Sequence, residues 1–196
     1  MLQHDPDQPD GLSPGGAWSV LEDAAGAVWV GTIDGGVQVQ SATTGRFRSY
    51  RAAGGSDRGP NDNDVRALVE DRSRRIWVGT RRGLSVYDRI SSRFKHYLHD
   101  PADDASLSHD FVRCMLIDRD GTLWIGTYGG GLDRYLPHRD RFAHYRNDPA
   151  KVDSLSDDRV YSLLASRDGM LWIGTHGGGL NRLNPRTGAI RRYRYD

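Results

Sequence analysis

Asp118-Arg-Asp-Gly-Thr-Leu-Trp-Ile-Gly-Thr-Tyr-Gly-Gly-Gly-Leu-Asp-Arg-Tyr135 decides the fold of this chain, because its centre occurs four times. Trp-Val-Gly-Thr begins at Trp29 and Trp77 and Trp-Ile-Gly-Thr at Trp124 and Trp172, at spacings of 48, 47 and 48 residues. An apolar stretch starts 12 residues before each Trp, at Ala17, Val65, Val112 and Val160. A turn follows, with Gly26, Gly121 and Gly169 three residues before the Trp. After the Thr come a glycine-rich hinge and an alternating run: Val37-Gln-Val-Gln40, Leu84-Ser-Val-Tyr87, Leu132-Asp-Arg-Tyr135 and Leu180-Asn-Arg-Leu183. A fourth run closes each unit, as in Arg93-Phe-Lys-His-Tyr97 and Arg141-Phe-Ala-His-Tyr145. Four short strands in about 48 residues describe an antiparallel meander, and meanders repeated side by side form the blades of a β-propeller. The chain is therefore read as all-β, with blades over 11–58, 59–106, 107–154 and 155–196 and the tail of a preceding blade over 1–10.

Strand chemistry fits this order. The first two strands of a unit are apolar on both faces, as expected where blades sandwich them, and the Gly after the Ile or Val leaves space for a neighbouring blade. The fourth strand carries Arg, Lys and His between its aromatics, which suits an outer edge in water. Composition agrees: of 27 basic residues only Lys95 and Lys151 are lysines, and of 26 acidic residues only Glu22 and Glu70 are glutamates, so the residues of turns outnumber those of helix surfaces. A formal charge of +1 over 196 residues carries no excess of positive charge for nucleic acid or an anionic membrane. Cys114 is the one cysteine and cannot form an internal disulfide or a zinc site by itself. Apolar stretches such as Cys114-Met-Leu-Ile117 are far shorter than the ~20 residues of a membrane helix. Met1 is not followed by the basic and apolar regions of a signal peptide.

Trp-Ile-Gly-Thr-x-Gly-Gly-Gly-Leu-x-Arg, preceded by Ser-Leu-Ser-x-Asp-x-Val and by Asp-Arg-Asp-Gly-Thr-Leu-Trp, resembles the two-component regulator propeller repeat. The resemblance implies seven-bladed propellers, usually two in tandem, in the extracytoplasmic sensor half of bacterial hybrid histidine kinases and related membrane-bound diguanylate cyclases. It also implies a periplasmic location in full-length relatives and, for some of them, carbohydrate sensing. Kinase, receiver, cyclase and immunoglobulin-like segments are not found in this sequence. Four blades arranged as an open arc would leave two apolar faces in water, which monomers generally avoid. Part of a larger propeller, or a half that assembles, is thus expected, with further blades or a second copy of the chain as partners.

Other motifs carry less. Gly11-Leu-Ser-Pro-Gly15 fits the hydrolase elbow pattern, but it falls in the register of Leu107-Ser108 and Leu155-Ser156 and reads as a turn into a first strand. Asp118-x-Asp120-Gly suggests calcium or an aspartate box; a turn closed by an Asp side chain and a Gly is the preferred reading. His96 and His144 share one repeat position and are read as surface positions on the outer strand, without metal spacing. Gly129–Gly131 and Gly177–Gly179 open no helix and read as turns. The run over 191–195 reads as a solvated edge strand. No cofactor and no catalytic group is expected.

Recognition is expected on loops of one rim, at positions that differ between blades. In the loops after the second strands these are Ile33, Asp34, Arg81, Arg82, Tyr128 and His176; in the loops leading into first strands they are Asn61, Asp62, Asn63 and Asp64, His109, Asp110 and Phe111, and Asp157, Asp158 and Arg159. The ligand-binding set drawn from them is Asp34, Asn63, Arg81, Arg82, His109, Asp110, Tyr128, Asp157, Asp158 and His176. Carboxylates, guanidinium groups and aromatic faces suit a hydroxyl-rich or zwitterionic small molecule, carbohydrate among them, or a partner protein. The function expected is ligand sensing for a two-component receptor, with a protein-binding scaffold as the alternative.

Overall fold

A computed structural model describes residues 16–193. The expectations placed on 1–15 and 194–196, namely the tail of a preceding blade, the Gly11–Gly15 turn and the end of the last strand, lie outside the described residues. Sixteen strands and no helix occur among the described residues. They form four antiparallel sheets of four strands, each in simple meander order. The first holds β1 (Ala17–Glu22), β2 (Val28–Thr32), β3 (Val37–Gln40) and β4 (Phe47–Tyr50); the second holds β5 (Val65–Glu70), β6 (Ile76–Thr80), β7 (Gly83–Asp88) and β8 (Arg93–Tyr97). The third holds β9 (Val112–Ile117), β10 (Leu123–Thr127), β11 (Leu132–Leu136) and β12 (Arg141–Tyr145); the fourth holds β13 (Val160–Ala165), β14 (Leu171–Thr175), β15 (Gly179–Leu183) and β16 (Ile190–Tyr193). The chain divides into two compact units, Met1–Tyr97 and Leu98–Asp196, with two blades in each.

In each unit the core lies between the two blades. Trp29, Val37 and Leu21 of the first blade meet Val65, Leu68, Ile76 and Val78 of the second. In the other unit Trp124, Leu132, Cys114 and Leu116 meet Val160, Ile173, Leu183 and Ile190. The glycine of the Trp-x-Gly-Thr motif admits the neighbour, as its sequence position suggests. A Cβ on Gly31 would lie 2.6 Å from Val65 Cγ1, and one on Gly126 would lie 2.6 Å from Val160 Cγ1. Burial among these side chains pushes the Cys114 thiol up to about 12, so it acts as a small apolar group.

An aspartate six residues before the tryptophan closes the first hairpin of three blades. Asp118 Oδ1 accepts the amides of Asp120 and Thr122, and Oδ2 accepts Trp124 Nε1–H at 2.8 Å. Asp71 does the same for Ser73, Arg75 and Trp77, and Asp23 for Ala25, Ala27 and Trp29. Asp118 therefore closes a turn, as read from the sequence, and its carboxylate is used up by N–H donors. Asp23 also takes Arg89 Nη2 from the second blade at 2.7 Å. Burial alone would raise its pKa; the Arg89 and Trp29 hydrogen bonds and the two amides prevail and lower it to about 2. The fourth blade has Ser166 at this position, and its hydroxyl turns to Asp168 and to the Met170 carbonyl instead.

The outer strands depart from expectation. The segments preceding β5, β9 and β13 run back as straps along the outer strands of their own blades. Phe94 donates its amide to Asp57 O at 2.7 Å, and Phe142 donates its amide to Ala105 O at 2.9 Å, which occupies edge groups that could otherwise recruit another strand. His96 and His144 are accordingly part-buried, not solvated. His144 joins the fully buried Asp133 at 2.6 Å through Nδ1 and the Asp104 carbonyl at 2.8 Å through Nε2, while His96 joins Ser85 and the Ser56 carbonyl. At the same position in the last blade, Arg192 donates to the carbonyls of Ser154, Lys151 and Leu155. The described part of the 191–195 run is thus a strap anchor rather than a bare solvated edge.

Candidate functional site

The rim is built from two loops per blade that hydrogen-bond to each other. Ile33, Arg81, Tyr128 and His176, each first after the motif Thr, donate their amides to Gly16, Asp64, Phe111 and Arg159. Inside the loop the motif Thr holds the turn: Thr127 Oγ1–H donates to Gly131 O and accepts the amide of Gly130. Gly131 has φ of 85° and a Cβ there would sit 2.3 Å from Tyr145 O, so the position takes only glycine; Gly36 repeats this against Tyr50 O.

A β-bulge in every first strand sets the geometry. Ala17 pairs with Thr32 and Ser19 with Gly31, leaving Trp18 as the extra residue. Arg66, Arg113 and Tyr161 are the extra residues of the other three blades. A bulge re-aims the side chain of the unpaired residue, here at the rim end of the innermost strand, and the four are a tryptophan, two arginines and a tyrosine. Sequence reasoning missed them because it assigned the first strands wholly to the core. The available signal was the blade-to-blade variation Trp18, Arg66, Arg113, Tyr161 in one register of an otherwise apolar strand.

In the unit of residues 98–196 these side chains form a run of rings. Phe111 and Tyr128 have centroids 5.3 Å apart, Tyr128 and Tyr161 meet edge to face at 5.9 Å, and Tyr161 and His176 stack at 5.3 Å. The guanidinium of Arg113 lies 5.1 Å from the Tyr161 ring centroid. Tyr128 and Tyr161 keep more than a third of their surface in solvent. Arg159 grips Asp157 through two N–H···O bonds of 3.0 and 2.6 Å and holds that carboxyl below its ordinary range. His109 Nδ1 accepts the Phe111 amide, and its ring faces Gly129, within 3.4 Å of where a Cβ would be. In the other unit the bulge residues again form a cation on a ring: Arg66 lies 4.2 Å from the Trp18 centroid and pairs with Asp64 at 2.6 Å.

The ten residues chosen from sequence divide by role. Tyr128, His176, His109 and Asp157 stand in the ring cluster. Arg81 and Asp34 are exposed in the loops after β6 and β2, and Arg82 pairs loosely with Asp62 at 3.6 Å. Asn63, Asp110 and Asp158 share one repeat position and do another job. Their Oδ1 atoms accept the amides of Ala52, His99 and Asn147 just after the preceding outer strand, at 2.8, 2.7 and 2.6 Å. These three hold loop to loop. Burial raises the Asp158 pKa, against the pull of the Asn147 amide. No cluster of three metal-ligating side chains occurs among the described residues.

Four-stranded meander sheets with a bulged first strand are the blades of a β-propeller. The family described as Two component regulator propeller matches residues 59–82, 106–129 and 154–177. Three of the four blades therefore carry the two-component regulator propeller repeat. Among solved structures it is similar to a domain assigned to the extracellular part of the hybrid two-component system BT3049 from B. thetaiotaomicron, at 25% identity and a TM-score of 0.83, over 98% of this chain and 26% of that one. A domain assigned to the extracellular part of BT4673 from the same organism matches at 21% identity and a TM-score of 0.71, over 97% and 23%. A streptogramin B lyase structure shares the fold at 15% identity and a TM-score of 0.66, over 90% and 54%. This chain thus spans about a quarter of the length of the first two. No curated protein sequence matches. No helix among the described residues is long and apolar enough to cross a membrane.

Proposed function

We propose that this chain is the ligand-recognition part of a two-component regulator sensor, and that it binds an extracellular small molecule on the rim without transforming it. One observation carries the reading. The bulge in every blade sets a large polar or aromatic side chain beside the loop that follows the second strand, at a position the repeated parts of the blade hold in place. The run Phe111, Tyr128, Tyr161 and His176 offers ring faces for the C–H surface of a sugar ring. Arg113, His109 and the Asp157–Arg159 pair offer donors and acceptors for hydroxyl groups around it. The ligand class that fits is carbohydrate, and in a full-length receptor binding would pass to an output domain across the membrane. Isothermal titration calorimetry with a panel of oligosaccharides tests this. Saturable binding that falls at least tenfold in Tyr128→Ala and in Tyr161→Ala is expected. Capture of a partner protein through the same residues, with no heat from any saccharide, would instead favour a scaffold.

A further inference from the structure

A second site lies at the other end of the strands, between the β9–β12 and β13–β16 blades. A cleft of about 390 Å³ opens there, lined by Asp118, Arg119 and Asp120 of the β9–β10 turn, by the β13–β14 turn around Arg167, and by Pro185 and Arg186 of the β15–β16 turn. In the unit of residues 1–97 the matching cleft is filled. Arg89 reaches across it from the β7–β8 turn, donating from Nη2 to Asp23 Oδ2 at 2.7 Å and from Nε to Arg74 O at 2.8 Å, with Glu70 Oε1 3.6 Å from Nη2. Glu70 Oε2 also accepts the Ala24 amide at 2.8 Å. The two clefts rest on the same kind of turn: Asp88 Oδ1 accepts the amides of Ile90 and Ser91, and Asn184 Oδ1 accepts those of Arg186 and Thr187. In this register Pro185 replaces Arg89, Gly169 replaces Arg74, Ala165 replaces Glu70, Arg186 replaces Ile90 and Arg119 replaces Ala24. The later cleft has thus lost both the side chain that fills it and a carboxylate that faced it.

Its remaining charges are unevenly matched. Asp118 is held by two turn amides and the Trp124 indole, and Asp168 by the Ser166 hydroxyl, the Met170 amide and the Arg182 guanidinium. That leaves Asp120 against Arg119, Arg167 and Arg186. Arg119 lies across the cleft and donates from Nη1 to the Arg167 carbonyl at 2.9 Å. The guanidinium groups of Arg167 and Arg186 make no hydrogen bond or ion pair among the described residues. We infer that this cleft binds the oxyanion of a small molecule, a phosphate, sulfate or carboxylate group, between Arg119, Arg167 and Arg186. A guanidinium presents paired N–H donors that match the oxygens of such groups. The volume exceeds that of an inorganic oxyanion and falls among ligand pockets of about 300–1,000 Å³, so the anion is one group of a larger ligand. The site is separate from the rim and stands whether or not the rim binds a saccharide.

Amide chemical-shift titration of the whole chain with inorganic phosphate, inorganic sulfate and citrate, each at ionic strength held constant with sodium chloride, tests this. Saturable shifts confined to residues 118–121, 166–169 and 184–187 are expected with at least one of the three, and the strongest names the group preferred. Binding is expected to weaken at least fivefold in Arg167→Gln and in Ala165→Glu, the second of which restores the carboxylate carried by the other unit. Arg72→Gln, at the matching position of that unit, is expected to leave binding unchanged. Should Ala165→Glu disturb the amide pattern of the fold, Arg186→Ile, which copies the second blade, replaces it. Shifts no larger than sodium chloride alone produces, shifts spread over the arginines of both units, or binding unchanged in either weakened variant would each overturn the inference.

Discussion

At the scale of the residue, His144 shows how a small sequence change alters what a fold depends on. Its Nδ1 faces the Asp133 carboxylate and its Nε2 faces the Asp104 carbonyl, so the ring satisfies both oxygens only when it carries two protons. The Asp133 hydrogen bond raises its pKa; partial burial and Arg146 oppose, and the raised value prevails. A folded pKa above the unfolded value of about 6.5 contributes stability in full below that pH, lost as pH rises through the folded value. Urea unfolding at acidic and alkaline pH is expected to show the wild type losing roughly 1–3 kcal/mol across this window, and His144→Gln losing much less. Parallel pH profiles for the two would contradict the assignment. His96 faces a serine hydroxyl instead of a carboxylate, and Arg192 carries a permanent charge, so this ion pair titrates in the third blade.

At the scale of the element, the hairpin lock separates what the sequence makes readable from what it hides. Trp-x-Gly-Thr and its spacing made the strands, the glycine seats and the hinge turns legible, because each depends on one residue type in one register. The turn closed by Asp118 was legible too, whereas its bond to the indole six residues on, repeated at Asp23 and Asp71, was not, because a spacing alone does not name the donor. The straps were not legible. Their bonds go from side chains of different chemistry to main-chain carbonyls, and nothing in the residue types of Ser56, Asp104 or Ser154 marks them as acceptors. The bulges were hidden for a similar reason, since an unpaired residue changes pairing without changing the motif. The lock also yields a prediction. Ser166→Asp would supply the carboxylate that the fourth blade lacks and is expected to raise unfolding free energy by about 1 kcal/mol in denaturant melts. A loss of stability would show that Trp172 is positioned differently from Trp29, Trp77 and Trp124.

At the scale of the whole molecule, the same four-stranded blade recurs in both compact units, and the blades differ from one another chiefly in the loops and bulges at the rim end of their strands. Seven of the ten candidates drawn from sequence stand on rim loops as exposed side chains or in the ring cluster. Asn63, Asp110 and Asp158 hold loops together, and Trp18, Arg66, Arg113 and Tyr161 enter the set through the bulges. The reading as a sensor module turns on whether a small molecule finds that rim. Amide chemical-shift mapping of the full chain during titration with an oligosaccharide is the most direct measurement. Saturable shifts centred on the loops around His109–Arg113, Tyr128, Arg159–Tyr161 and His176 are predicted, with the outer strands β12 and β16 unmoved. Shifts centred on the outer strands, or none at millimolar saccharide across the panel, would contradict the account.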